Sequence, residues 1–148
     1  SIISNALFDT GRPVLVIPPC EHGKMIGQNI AIGWDGSVQA FRAVSQSHSF
    51  LKNAKKVKII TVDEEENVRP LAQNLSDYLY AHNIAADHID INHDRISIPT
   101  ALLEEAKSQN ADLLVIGAYG HNRWRELILG GVTDFMLNHA DIPVFMSH

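Results

Sequence analysis

The order of apolar segments along the chain predicts its architecture. Five strand-sized apolar runs, most of them rich in Val and Ile, lie at 13–17, 30–34, 57–62, 113–117 and 143–146. Because most of these runs are continuously apolar, they are typical of strands buried on both faces of a parallel sheet. A sixth run, 86–91, alternates between apolar and polar positions and is typical of an edge strand.

Helical patterns separate these strands. The first opens at Ser37, a predicted N-cap, and its apolar stripe continues to Leu51. Three more patterns follow, at 71–82, 98–108 and 132–140. From Ile30 onward strands and helices alternate, which predicts right-handed crossovers and an α/β fold with a doubly wound, five-stranded parallel sheet.

The segment 1–18 lies outside this alternation. Its Pro13-Val14 pair matches Pro143-Val144, and two further apolar residues follow each pair. The two pairs are about one domain length apart. This repetition indicates that 1–18 is the closing strand of a preceding copy of the fold, with a linker at 19–28 and one domain at 29–148. A chance match of a short strand is the alternative.

Glycines and one carboxylate follow the two central strands. In an open α/β sheet, ligands bind beyond the carboxyl ends of strands whose connections leave toward opposite faces. Asp35 follows one such strand and is a candidate acceptor for ribose hydroxyls. Gly117 and Gly120 follow another and allow backbone amides to approach a phosphate. The segment 130–133 opens the last helix, whose N–H groups and dipole favour an anion. Each motif taken singly is also compatible with an ordinary turn.

Composition and charge narrow the partners. The apolar share of 45% and the charged share of 20% are those of a globular protein. A net charge of -5 with scattered basic residues argues against nucleic acid or an anionic membrane as a partner. No apolar run approaches the length of about 20 residues that a membrane span needs. The single Cys20 provides no internal disulfide, so a reducing cytoplasm is the expected location.

Several catalytic signatures are absent from the sequence. There is no G-x-x-x-x-G-K-[ST] loop, no G-x-G-x-x-G after a strand, no H-E-x-x-H and no nucleophile elbow. A response-regulator receiver domain would need a Lys near the fifth strand, and this chain has none there. The pairs His88 with His93 and Cys20 with His22 lack a recognisable zinc spacing, so no metal site is predicted. The acidic run 63–66 is predicted to be a solvated loop. With no catalytic base identified, weak ATP hydrolysis is the most that we expect.

The spacing Gly117-x2-Gly120-x9-Gly130 resembles the nucleotide-binding pattern of the universal stress protein family. The resemblance covers 29–148. It implies the strand order 3-2-1-4-5 of the adenine nucleotide alpha hydrolase-like fold, with an extra N-terminal strand here. It also implies binding of ATP, or of ADP or AMP, with or without Mg, in a stress-response or regulatory role. A dimerisation or interaction domain of the same fold that binds no nucleotide is the alternative.

The resemblance also implies the roles of individual residues. Gly33 and Asp35 would lie by the adenosine, and Val62 would back the adenine. The residues that would line the phosphates are Gly117, Gly120, His121, Gly130, Gly131, Val132 and Thr133. Arg123 and Arg125 would either clamp phosphate oxygens or face solvent, and Trp34 would either crowd the site or stack on a base.

One departure from the family pattern concerns the phosphates. ATP-binding members have Ser or Thr directly after the last glycine, where this chain has Gly131. The hydroxyl donor is therefore missing at that position, and Thr133 is the candidate replacement.

Universal stress proteins occur as dimers of single domains and as tandem chains. The resemblance therefore implies a homodimer or an intramolecular pseudo-dimer through the closing strands. In this chain, 13–17 is expected to pair with 143–146 and to cover that sheet edge.

Overall fold

One six-stranded sheet forms the centre of the part of the chain that a computed structural model describes, residues 10–63, 71–94, 96–118, 136 and 138–148. Its strands are β1 (Val14–Val16), β2 (Asn29–Gly33), β3 (Lys56–Val62), β4 (Asp87–Ile91), β5 (Leu113–Gly117) and β6 (Val144–Ser147). The helices are α1 (Val38–Gln46), α2 (His48–Asn53), α3 (Leu71–Ala81) and α4 (Ile98–Ser108), with a short 3-10 helix at Pro19–Glu21.

The strands lie in the order β1-β6-β5-β2-β3-β4. The five strands from β2 onward are parallel and, counted from β2, follow the predicted order 3-2-1-4-5. The strand β1 joins β6 antiparallel, with Val14 opposite Met146 and Val16 opposite Val144. The doubly wound α/β fold is therefore confirmed, and so is the pairing of the N-terminal strand with the closing strand.

The helices follow the predicted pattern with one break. As predicted, Ser37 caps α1, and its Oγ accepts a hydrogen bond from Ala40 N at 3.0 Å. The prediction of a single helix as far as Leu51 is wrong, because the chain breaks at Ser47. The Ser47 hydroxyl donates to the Val44 carbonyl at 3.1 Å, and such a bond competes with the helix ladder. The predicted helix at 98–108 coincides with α4, whereas 132–140 lies largely outside the described residues.

Two apolar layers cover the sheet. Helices α1, α2 and α3 pack on one face, over the fully buried Ile30 and Ile32. Helix α4 packs on the other face, over Ile60 and Ile116. Met136, in the connection that follows β5, packs on the α4 face as well. The connections after β2 and β5 thus lead to opposite faces, which opens a crevice between these strands at their carboxyl ends.

Asp112 joins β2 to β5 at the amino ends of these strands. Its carboxylate accepts hydrogen bonds from the backbone N–H groups of Gly27, Gln28 and Asn29, at 3.1, 2.9 and 3.1 Å. These bonds join the start of β2, and the end of the predicted linker before it, to the start of β5. The sequence analysis does not identify this contact, because Asp112 lies 83 to 85 residues from its partners.

Candidate functional site

The predicted site residues fall into two groups. Gly33, Asp35, Val62 and Gly117 lie at or just beyond the carboxyl ends of β2, β3 and β5. The second group lies outside the described residues: Gly120, His121, Arg123, Arg125, Gly130, Gly131, Val132 and Thr133. Their roles at the phosphates stay predictions.

Asp35 is a buried carboxylate at the crevice, with 6% of the residue exposed. Its Oδ1 accepts a hydrogen bond from Ser37 N at 2.9 Å. Gly36 between them has φ of 74°, a conformation that glycine adopts without strain. Within the described residues, no buried side-chain nitrogen or oxygen lacks a hydrogen-bond partner, so Oδ2 is not an orphaned buried atom. A carboxylate oxygen can accept from a ligand that offers a hydroxyl or amino donor.

Gly117, the last residue of β5, lies against the first turn of α1. A Cβ on Gly117 would lie 2.5 Å from Ala40 N and 2.7 Å from the carbonyl carbon of Gln39. Both distances are shorter than real Cβ contacts, so any side chain here would displace α1. The structure thus gives Gly117 a packing role in addition to its predicted role at a phosphate. The same contact holds the Asp35 turn beside the end of β5.

Gly33 and Val62 end two neighbouring strands and face the core. A Cβ on Gly33 would lie 2.9 Å from both Ile116 Cγ2 and Leu102 Cδ2. Val62 is 4% exposed and belongs to the apolar layer beneath α4. Packing therefore explains both residues, and their contacts with an adenosine stay predictions.

The Trp34 side chain is part of the core. The residue is 6% exposed and packs in the layer beneath α1, α2 and α3. Its backbone N donates to Ile60 O at 2.9 Å, which continues the β2–β3 pairing one residue beyond β2. The structure thus gives Trp34 a packing role, and its two predicted roles at a ligand stay predictions.

A pair that the sequence analysis does not identify lies at the carboxyl ends of β3 and β4. His93 Nδ1 contacts Asp63 Oδ2, and the two side chains are 34% and 41% exposed, respectively. Asp63 and Asp94 have positive φ values of 50° and 43°. Residues other than glycine adopt this conformation rarely, and it is concentrated at functional sites. Asp63 begins the run that we predicted as a solvated loop, and its pairing with His93 is a specific contact that this prediction lacked.

A second polar network joins β3 to β4 one residue earlier. Thr61 is 1% exposed, and its Oγ1 donates to Asp90 Oδ1 at 2.6 Å. Because a hydroxyl has one proton, Thr61 Oγ1 accepts from His88 Nε2, which lies 2.8 Å away. This network stabilises the edge strand β4, and its buried hydroxyl is shielded from a ligand.

The histidines considered as metal ligands have other contacts. His88 bonds Thr61, His93 pairs with Asp63, and His22 Nε2 lies 3.3 Å from Ile17 O. In the described ranges, no group of three His, Cys, Asp or Glu side chains is placed to hold a metal ion. Among the helices that the structure describes, none has the length and apolar character needed to cross a membrane.

Several solved proteins share this fold. A universal stress protein from Archaeoglobus fulgidus DSM 4304 is similar with a TM-score of 0.79 and 18% identity. The similarity covers 99% of this chain and 55% of that chain, so this chain spans about half the length of that protein. UspA from Lactobacillus plantarum is similar with a TM-score of 0.56 and 18% identity, over 84% of this chain and 100% of that chain.

A third structure and the family comparison complete the assignment. A universal stress protein solved in complex with cAMP has a TM-score of 0.64 and 25% identity, over 82% of this chain and 96% of that chain. No curated protein shows significant sequence similarity to the chain. The universal stress protein family itself matches residues 27–148, which is most of the sequence. The chain therefore belongs to the universal stress protein family.

Proposed function

We propose that the chain binds ATP or a related adenine nucleotide in the crevice between β2 and β5, as a cytoplasmic regulatory module of a stress response. The observation that carries the proposal is Asp35, a buried carboxylate just beyond the carboxyl end of β2 that accepts a hydrogen bond from Ser37 N. The similar universal stress protein in complex with cAMP supports an adenine nucleotide as the ligand class.

In the proposed complex, each part of the nucleotide lies over a different strand end. Asp35, after β2, accepts from the ribose hydroxyls, and Val62, at the end of the adjacent β3, backs the base. The phosphates extend the other way, over Gly117 at the end of β5 and toward 120–133, with or without Mg. Gly131 removes one hydroxyl donor, a loss of about 1 kcal/mol that Thr133 offsets.

Calorimetric titration tests this proposal. The ligands are ATP with Mg, AMP and cAMP, and the proteins are the full chain and its Asp35→Asn variant. Asparagine keeps the Oδ1 acceptor for Ser37 N but loses the carboxylate, so we expect about tenfold to hundredfold weaker binding. Asp87→Asn, at the amino end of β4, is the matched control and should bind as the unmodified chain does. Absence of binding at millimolar nucleotide would overturn the proposal.

We also propose that β1 is the closing strand of a preceding copy of this domain, so that 1–18, 19–28 and 29–148 are remnant strand, linker and domain. The repeated Pro-Val sequence and the antiparallel pairing of β1 with β6 support this assignment. In an intramolecular pseudo-dimer, β1 occupies the edge through which two separate copies would pair. The same pairing of β1 with β6 also supports the alternative function, which is a dimerisation domain that binds no nucleotide.

Removal of residues 1–18 tests the role of β1. The shortened chain exposes the edge of β6, and unpaired edges promote association. We expect light scattering after gel filtration to show a dimer for the shortened chain and a monomer for the full chain. A shortened chain that keeps its circular dichroism spectrum and stays monomeric contradicts the assignment. Loss of the folded spectrum also contradicts it, since a domain at 29–148 should fold without the remnant.

A further inference from the structure

The order of strands predicts where the far edge of the base lies. Along the carboxyl edge of the sheet, β5, β2, β3 and β4 follow one another, with neighbouring strands about 4.8 Å apart. In the proposed function the phosphates lie over β5, the ribose over β2 and the base over β3. A purine extends from its sugar by more than one strand spacing. Its C6 edge therefore points toward β4, where Asp63 and His93 form their pair.

We propose that the Asp63–His93 pair selects a purine that has an amino group at C6, adenine rather than hypoxanthine or guanine. The inference rests on the proposed function, because it concerns the base of that same nucleotide. It assigns Asp63 and His93 as specificity-determining residues.

The hydrogen bond within the pair sets its polarity. The Asp63 carboxylate can only accept, so the shared proton is carried by His93 Nδ1. In the neutral imidazole the other nitrogen, Nε2, is then an acceptor. An acceptor bonds the 6-amino group of adenine. With a 6-oxo purine, two acceptors face each other and neither is satisfied, which is the costly arrangement in recognition.

The pair is both accessible and held in place. The two side chains are about one third exposed, and His93 lines an open pocket of about 610 Å³ with Asn92, Asp94 and Ile96. Backbone bonds hold the two residues: Asp63 N donates to Ile91 O and Ile96 N donates to His93 O, each at 2.8 Å. A ligand thus meets a preformed acceptor.

Paired titrations with AMP and IMP test the inference, because these nucleotides differ in the group at C6. The full chain and its variants are titrated by calorimetry in the same buffer. We expect AMP to bind about tenfold more tightly than IMP. His93→Ala should remove most of this preference. Asp87→Asn, remote from the pair, should keep it.

Asp63→Asn gives the sharper test. Asparagine tolerates the positive φ at this position, so the backbone is retained. Its amide can donate to His93 Nδ1, which moves the ring proton to Nε2 and turns the acceptor into a donor. The variant should lose the preference for AMP or reverse it.

The outcomes separate this inference from the proposed function. Equal binding of AMP and IMP to the unmodified chain overturns the selectivity alone, and so does an Asp63→Asn variant that keeps the tenfold preference. Failure of both nucleotides to bind overturns the proposed function and this inference with it.

Discussion

An aspartate lies at each end of the central strands, and the two aspartates have different hydrogen-bond partners. At the amino edge, Asp112 accepts three backbone N–H groups. At the carboxyl edge, Asp35 accepts one, from Ser37 N. Within the described residues, the first carboxylate thus has three backbone donors and the second has one. Hydrogen-bond partners, rather than residue type or position next to a strand, therefore distinguish a structural aspartate from a candidate binding aspartate.

The largest expected effect is at the amino edge. Asp112→Ala leaves three N–H groups without their charged acceptor and should lower the free energy of unfolding by about 3 kcal/mol. Urea denaturation should show this as a lower midpoint with an unchanged slope. Asp112→Asn is the control, because its single oxygen still serves Gly27 and Asn29, and it should cost about half as much. Equal stability of all three proteins would show that the hydrogen bonds to Asp112 do not stabilise the fold.

A smaller loss is expected at the end of β5. Gly117→Ala places a methyl group 2.5 Å from Ala40 N and should destabilise the fold by about 2 kcal/mol, as overpacked sites do. Thermal unfolding followed by circular dichroism measures it. The control is Gly23→Ala, at a glycine with no atom within 4 Å of the added Cβ, where only the positive φ of 82° opposes alanine. If Gly117→Ala leaves the stability unchanged, packing against α1 does not explain this glycine, and its predicted role at a phosphate is favoured.

Asp35→Asn should affect stability less than either change. Its Oδ1 still accepts from Ser37 N, so the loss should stay below about 1 kcal/mol even though nucleotide affinity falls. Urea denaturation of this variant beside Asp112→Asn makes the comparison of the two edges direct. A stability loss at Asp35 as large as that at Asp112 would mean that both carboxylates are structural.

The smallest effect is expected for an exposed pair between α4 and the segment before β6. The hydrogen bond from Lys107 Nζ to Asp141 Oδ2, at 2.8 Å, and the charge of Asp141 raise the pKa of Lys107 above its ordinary value of 10.5. A raised pKa contributes stability below the unfolded value and loses it as pH rises through the folded value. Lys107→Met should therefore lower Tm slightly at neutral pH, and the difference should shrink as pH rises above 10.5 and through the raised pKa of Lys107. A difference that persists at high pH would indicate lost packing instead of lost charge.

The sequence predicted most of the fold because apolar periodicity is local. Continuous apolar runs marked four of the five parallel strands and the antiparallel β1, and the alternating run marked β4, the parallel strand at the edge. The break at Ser47 was missed, since the apolar stripe continues across it while the Ser47 hydroxyl diverts a backbone carbonyl. The Pro-Val repeat, together with the family resemblance, predicted the pairing of β1 with β6, which the structure shows.

The site was predicted less completely, because its contacts join distant parts of the chain. Asp35 was found from its position after a strand. The pairing of Asp63 with His93 spans 30 residues and appears only when β3 and β4 lie side by side in register. The packing of the Trp34 side chain in the core likewise appears only in the tertiary structure.

The sequence by itself predicted the alternation of strands and helices and, through the family resemblance, the strand order, because apolar runs and glycine spacing are local features of the chain. Only the tertiary structure decided how many backbone N–H groups Asp112 and Asp35 each accept and why Gly117 admits no side chain. Those properties depend on atoms brought together by strand register and helix packing.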